Sequence, residues 1–301
     1  MIEEIRFKNV RELFDFLAPW NENDLHGYVF RGHSKEEYEL IPNALRPNNV
    51  EHFWQLAGGK PIENQFEWLS WQIGAEFRLL REFYRLADSQ GLPVPVSDFM
   101  RANLAQSFDP FTVDMNMNDI QWIPSDLLES VALAQHYGIP TRLLDWTYDR
   151  YVALYFSFQG ALDSEGNMVI WALNKDHLAF LKPTVDSSNV EFITPHYSQN
   201  PNISAQKGLF THWPVKKVSK AAEAQMLFQN KVQLVDRRPL DVLISETHSH
   251  SEVTIFKKLF VPASEALKGR RILREMGYGT SSIFPGYDGV AREILELRKY
   301  S

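Results

Sequence analysis

A chain of 301 residues, 44% hydrophobic and 13% aromatic, holds enough apolar material for one large core or two ordinary ones, which excludes a disordered chain. The formal net charge of −7 argues against a surface given over to nucleic acid, although a local basic cleft is compatible with it. Cysteine is absent, which excludes disulfides, thiolate metal sites and a thiol nucleophile.

The opening MIEEIRFKNVRELF is charged and lacks the apolar core of a signal peptide, and no apolar run is long enough for a membrane span. A cytoplasmic protein with no membrane partner is the expectation. In chain order, the first helix is expected over 9–17, with Asn9 as cap and Glu12 placed as in a capping box. Residues 28–32, YVFRG, read as a strand that ends in an arginine and a glycine. Arg46, in the loop that follows, could lie near Arg31 in space. The longest helical signal spans 62–88, where Phe66, Leu69, Ile73, Phe77, Leu80 and Tyr84 recur at i+3 and i+4. Residues 94–123 lack a period and read as short helices and loops.

The densest stretch follows. Ser125, after Pro124, is the expected cap of a helix whose apolar positions are Leu127, Leu128, Val131 and Ala134. Gly138 and Pro140 end that helix, which places Gln135 and His136 in its last turn. A helix C-terminus favours the charged form of His136. Thr141, Arg142, Asp145 and Thr147 then alternate with Leu143, Leu144 and Trp146. Polar groups in an apolar run need hydrogen-bond partners when buried. Their density points to a polar network that fixes the turn or to the wall of a ligand site.

Further on, strands are expected at 168–173, 203–213, 232–235, 242–244 and 253–261, and helices at 219–228, 264–276 and 287–300. The segment 183–201 reads as loop. His248-Ser249-His250 and His212 lack a matched third ligand and read as solvated rather than as a metal site. Lys216-Lys217 and Arg237-Arg238 read as solvated faces. No P-loop, Rossmann glycine pattern or hydrolase elbow is present. One α+β domain over 1–301 is expected, with a helical region at 1–27 and a helical insertion at 60–123.

The run QHYGIPTRLLDWT with ALYF after it and Phe30-Arg31-Gly32 before it closely resembles the FRG domain family. The resemblance extends to Gln206-Lys207-Gly208-Leu209-Phe210 and to the stretch from Ile283 to Gly289. A weaker resemblance, to ADP-ribosyltransferases of the arginine–serine–glutamate type, bears on chemistry. The order is similar: a strand ending in arginine, a polar strand at Leu144-Asp145-Trp146-Thr147, a helix at Ala153–Phe156, and Gln206-x-Gly208 where the family carries its glutamate.

That resemblance implies an ADP-ribosyltransferase-like split β-sheet core and NAD as substrate. Arg31 would hold the pyrophosphate or ribose, with Gly32, Thr141, Arg142, Trp146, Phe156 and Phe210 around the cofactor. Arg31, His136, Asp145, Thr147 and Gln206 would form the catalytic set. Gly208 replaces the glutamate, so a carboxylate would come from Asp145, Asp288 or Glu293. The implied activity is transfer of ADP-ribose to a macromolecular acceptor, protein or nucleic acid, as a bacterial toxin or phage-defence effector. The alternative is a non-catalytic module that binds a nucleotide, nucleic acid or protein through the same residues. A third reading makes the motif a purely structural network. The transferase reading demands that Asp145 and Thr147 face Arg31.

Overall fold

A computed structural model describes residues 2–21, 25–59, 67–104, 121–181, 190–216, 218–229, 231–248 and 253–299. In chain order the elements are β1 (Ile2–Arg6), α1 (Val10–Leu17), β2 (Tyr28–His33), α2 (Val50–Leu56), α3 (Leu69–Ser89), α4 (Asp98–Leu104), β3 (Gln121–Trp122), α5 (Leu128–His136), β4 (Leu144–Thr147), α6 (Arg150–Ala161), β5 (Asn167–Asn174) and α7 (Lys175–Leu181). Then come β6 (Glu191–Ile193), α8 (Pro201–Ala205), β7 (Gly208–His212), β8 (Val215–Lys216), α9 (Lys220–Phe228), α10 (Leu240–Thr247), β9 (Phe256–Pro262), α11 (Ala266–Glu275), α12 (Thr280–Ile283) and α13 (Tyr287–Lys299).

Seven strands form one mixed sheet in the order β1-β9-β5-β2-β4-β7-β6, and β3 pairs with β8 apart from it. β1 runs parallel to β9, and the other described pairings are antiparallel. β2 pairs with β5 along its whole length, Tyr28 with Asn174 through His33 with Val169. Its pairing with β4 is one residue deep, Phe30 with Thr147, so the sheet splays beyond that point.

Alternation sorts the strand side chains into two layers. Phe30, Ile170, Ala172 and Leu259 pack with Leu13, Val152, Phe158 and Leu273 from α1, α6 and α11. Val29, Trp171, Phe260 and Trp146 pack on the other face with Leu240 and Ile244 of α10. A third core joins α3 and α5 through Ile73, Phe77, Val131 and Ala134, with Trp122, Leu143 and Phe210.

Several expectations hold in detail. Asn9 caps α1 by accepting from the Glu12 N–H, while the Glu12 carboxylate turns back to the Lys8 N–H. Gly138 takes φ +90° after α5, and its N–H reaches Gln135 O.

Others are corrected. The 1–27 region contains a strand, β1, whose single apolar pair Ile2 and Ile5 gives little period to read. Ser125 does not cap α5, because a 3-10 turn (Ser125–Leu127) led by Pro124 comes first and makes no side-chain cap bond. α3 starts at Leu69, since Trp68 forms an isolated bridge with Leu234, and that bridge is all the described pairing at 232–235. Residues 62–66, 105–120, 183–189, Lys217, Ser249, His250 and Tyr300 lie outside the described residues. The expected strand at 203–213 begins as helix α8, because Asn200 caps it and Pro201 starts it. The expected strand at 242–244 belongs to α10, and the expected loop at 183–201 contains β6.

Candidate functional site

Arg31 and His33 sit two residues apart on β2 and share one side of the strand. Where β2 and β4 part, the Arg31 side chain spans the gap. Its Nη1 donates to the Asp145 carbonyl at 2.8 Å and lies 3.3 Å from Asp145 Oδ2. Its Nε donates to His33 Nε2 at 2.9 Å, so that nitrogen is an acceptor and the ring proton sits on Nδ1, facing Tyr38 O at 3.0 Å. Burial and the Arg31 cation push the His33 pKa down to about 3, so the ring is neutral near pH 7. Burial also lowers the Arg31 pKa, with Asp145 opposing, yet a guanidinium remains charged in proteins.

Arg31 Nη2 takes no hydrogen bond among the described residues. Arg46 is exposed, its Nε on Ile41 O at 3.2 Å, and its charge acts on both Arg31 and His33. The loop arginine is thus near enough to act electrostatically on the strand arginine, lowering its pKa.

Asp145 closes the arrangement. Its side chain is 58% exposed, against 14% for Arg31. Oδ1 accepts from Gln135 Nε2 at 2.5 Å, the Gln135 Oε1 accepts from the Thr141 hydroxyl, and Thr141 Oγ1 accepts from the Leu143 N–H at 3.1 Å. The last turn of α5 is thus tied to the start of β4 through side chains. His136 lies half-buried next to Gln135. Its Nε2 pairs with Asn202 Nδ2 at 3.1 Å. Burial lowers its pKa and the Asp145 charge opposes the shift. The neutral ring is favoured, which corrects the expectation of a charged form at a helix end.

The remaining residues of the expected set are placed elsewhere. Thr147 does not face Arg31. Its hydroxyl donates to Gln206 O at 2.7 Å and accepts from the Asp149 N–H at 2.9 Å, which fixes the β4–α6 turn. Gln206 caps α8 rather than standing on a strand, and its Nε2 reaches Ile283 O at 3.4 Å. Gly208 lies opposite Thr147 in the sheet.

Arg142 is buried and forks onto Glu76, Nε to Oε2 at 2.6 Å and Nη2 to Oε1 at 2.8 Å. Trp146 donates Nε1 to Thr211 Oγ1 at 2.9 Å inside the core, and Phe210 is buried beneath α5. These three are sealed in the core, which corrects their expected place around a cofactor. Gly32 is explained by packing, because a Cβ there would lie 2.0 Å from Ala153 O of α6. Phe156 stands on α6 against Phe284. Asp288 is exposed in the first turn of α13, and Glu293 accepts from the Ser281 N–H at 2.8 Å.

His33 was not foreseen, although its i+2 spacing from Arg31 is a legible signal. Asp149 was also missed. It caps α6 by accepting from the Tyr151 N–H at 2.9 Å, and it receives Lys207 Nζ at 2.7 Å and the Tyr278 hydroxyl at 3.0 Å. His248 is buried, its Nδ1 facing Ile244 O at 3.0 Å, rather than solvated. Arg237 is also not solvated, since it bonds Glu67 and Leu45 O.

The model of the FRG domain family matches residues 26–166. Residues 26–166 are thus similar to FRG domains. The matched stretch holds Arg31, His33, Arg46, Gln135, His136 and Asp145, the whole cluster around Arg31. The match ends before Gln206–Phe210 and the stretch 283–289, so the extension expected there is outside it. No curated protein and no solved structure matches the chain. Among the described residues no helix is long and apolar enough to cross a membrane.

Proposed function

We propose that the FRG-like stretch of this chain binds a phosphate-bearing nucleotide, NAD or a close relative, on the polar surface around Arg31. The supporting observation is a guanidinium held by His33 and Asp145 with its Nη2 left over, beside the exposed Arg46. A planar fork whose other nitrogens are fixed loses little entropy when it takes phosphate oxygens. Asp145, half of whose side chain faces solvent, would accept from a ribose hydroxyl. The half-buried His136 ring, carrying its proton on Nδ1, supplies a further donor beside them.

Transfer of ADP-ribose is the second reading, favoured by Asp145 alone. In that reaction the bond from the ribose carbon to nicotinamide breaks and its electron pair leaves with nicotinamide. The acceptor nucleophile then bonds the ribose carbon and loses its proton. Asp145 would stabilise the cationic ribose in place of the glutamate that Gly208 replaces. Binding is favoured over transfer because Thr147 and Gln206 satisfy each other away from Arg31.

Calorimetric titration of NAD into the wild type and Arg31→Ala tests binding, and the expected result is a single site lost in the variant. Incubation with labelled NAD and cell extract tests transfer. No binding to the wild type overturns the first reading. Binding without labelled product leaves it standing and removes the second.

A further inference from the structure

A cleft of about 420 Å³ opens beside Leu133, one turn of α5 before His136. The chain after α3 walls it with Pro93, Pro95 and Val96, and the stretch from β6 into α8 closes the other side with Pro195 and Ile203. Its volume is that of a small-ligand site, in the range of roughly 300 to 1,000 Å³. Proline has no N–H, so these walls are apolar and offer few donors of their own. Val96 is 77% exposed, which leaves apolar surface wet.

Two polar groups stand in this lining. Asn200 is only 5% exposed. Its Oδ1 accepts from the Ile203 N–H at 3.1 Å as the cap of α8, which settles the orientation of the amide. Its Nδ2 is left buried with no hydrogen-bond partner among the described residues. A buried donor in that state costs free energy until an oxygen reaches it. Glu129, in the first turn of α5, is half-buried, and its Oε2 accepts from the His196 N–H at 3.3 Å. That donor is a backbone group, and Glu129 makes no ion pair among the described residues. The lining holds no lysine and no arginine, and its other titratable group is the exposed His196. The cleft therefore combines one carboxylate, one unused N–H donor and apolar walls.

We propose that this cleft binds a peptide segment through a lysine or arginine side chain. The methylene stem of such a side chain packs along proline and leucine while its head stays polar. The head would meet Glu129, whose Oε1 takes no hydrogen bond among the described residues. A carbonyl of the same segment would accept from Asn200 Nδ2. A water could serve Nδ2 but would leave the apolar walls wet. A phosphate-bearing ligand is disfavoured, because Glu129 would repel it and no lysine or arginine lines the cleft to offset the repulsion. The net charge of −7 favours the approach of a basic segment.

The proposal does not depend on the nucleotide reading of the Arg31 surface. The capped tripeptide acetyl-Leu-Arg-Ala-amide is titrated into the full chain, and binding is followed by NMR from the methyl signals of Leu133 and Ile203. A citrulline counterpart keeps the shape of the arginine and removes its charge. Millimolar binding is expected, weakened about fivefold or more in the citrulline peptide and in Glu129→Gln, as loss of a partly exposed ion pair implies. Val96→Lys, at a position exposed enough to leave the fold intact, should weaken it likewise, and Arg31→Ala should not. No methyl shift at tens of millimolar peptide overturns the proposal. Equal affinity for the citrulline peptide overturns it too, as does an affinity unchanged in both Glu129→Gln and Val96→Lys. Binding lost in Arg31→Ala alone assigns the peptide to the other surface. Butylguanidinium binding as tightly as the tripeptide also overturns the proposal, since the cleft would then be a site for free small cations.

Discussion

Arg142 meets Glu76 with side chains 3% and 5% exposed, whereas Arg31 meets Asp145 with 14% and 58% exposed. The first pair is bidentate, and each Glu76 oxygen takes a second donor, Trp122 Nε1 on Oε2 and Gln72 Nε2 on Oε1. It is nearly sealed from solvent and ties α3 to the turn before β4. The second pair uses one nitrogen of the guanidinium, borrows a backbone carbonyl and leaves Nη2 and half a carboxylate available. Both arginines stand in motifs of similar polar density. What separates the two arginines here is where the partner carboxylate sits. Glu76 comes from a helix buried in the core, Asp145 from the open side of a splayed strand pair.

Breaking the sealed pair is the harshest test of this contrast. Arg142→Ala leaves Glu76 buried and uncompensated, a loss of about 3–5 kcal/mol. Urea unfolding should show it as a large drop in midpoint with no change in slope. An unchanged midpoint would mean that water or a neighbour replaces the guanidinium, and the pair would then be no more structural than Arg31–Asp145.

Gly32→Ala comes next. The added methyl would collide with the Ala153 carbonyl of α6, and Ser157 of the same helix already bonds His33 O at 3.0 Å. Overpacking of this kind costs about 1–3 kcal/mol, and a backbone collision belongs at the upper end. The thermal midpoint should fall, and ligand affinity should fall with it, because α6 would push β2 and carry Arg31. A stable variant that lost affinity alone would return Gly32 to the ligand rather than to packing.

Acid should act on the Arg31 surface through His33. Its folded pKa, about 3, lies below the ordinary histidine value of about 6.5, so the unfolded chain binds the extra proton between those pH values. The contribution is fully present above about pH 6.5 and is lost as pH falls toward 3. By pH 5 the loss is about 2 kcal/mol, at about 1.36 kcal/mol per pH unit. His33→Gln should flatten the dependence of unfolding free energy on pH by about one proton across this window. The buried His212, also shifted down by burial, would supply part of the slope that remains. An equal slope in the variant would show that the His33 ring is not the neutral acceptor for Arg31.

Much of this was legible in the sequence, and the failures have physical causes. Period and caps located α1, α5, β2 and β5, because Asn9, Gly138 and the run MVIWAL act locally. The meeting of Arg31 with Asp145 was legible as a demand on geometry. The commitment of Arg142 was not, since its partner lies 66 residues earlier on α3 and no local rule links them. Gln206 was misplaced for a related reason. SAQKG reads as alternation, yet Asn200 and Pro201 start a helix there and Lys207 takes φ +46° to leave it. β1 depends on pairing with β9 from the far end of the chain, which no residue near Ile2 announces.

Asp145→Asn should give the smallest change in stability and the clearest functional one. The pair is half-exposed, and such ion pairs contribute about 0–1 kcal/mol. Asparagine can still accept from Gln135, and Arg31 keeps the backbone carbonyl of residue 145, so the melting curve should barely move. Nucleotide affinity should nevertheless fall about tenfold or more, since a hydrogen bond to a charged group is worth about 1.5–3 kcal/mol. Arg31→Lys is the companion test. An ammonium keeps the charge but cannot hold His33 and Asp145 while offering another nitrogen outward, so it should not restore binding lost in Arg31→Ala. Full affinity in Arg31→Lys would show that charge alone matters. If Asp145→Asn destabilised the chain as much as Arg142→Ala, both pairs would be structural, and the polar surface at the splay of β2 and β4 would be the rim of a core rather than a site.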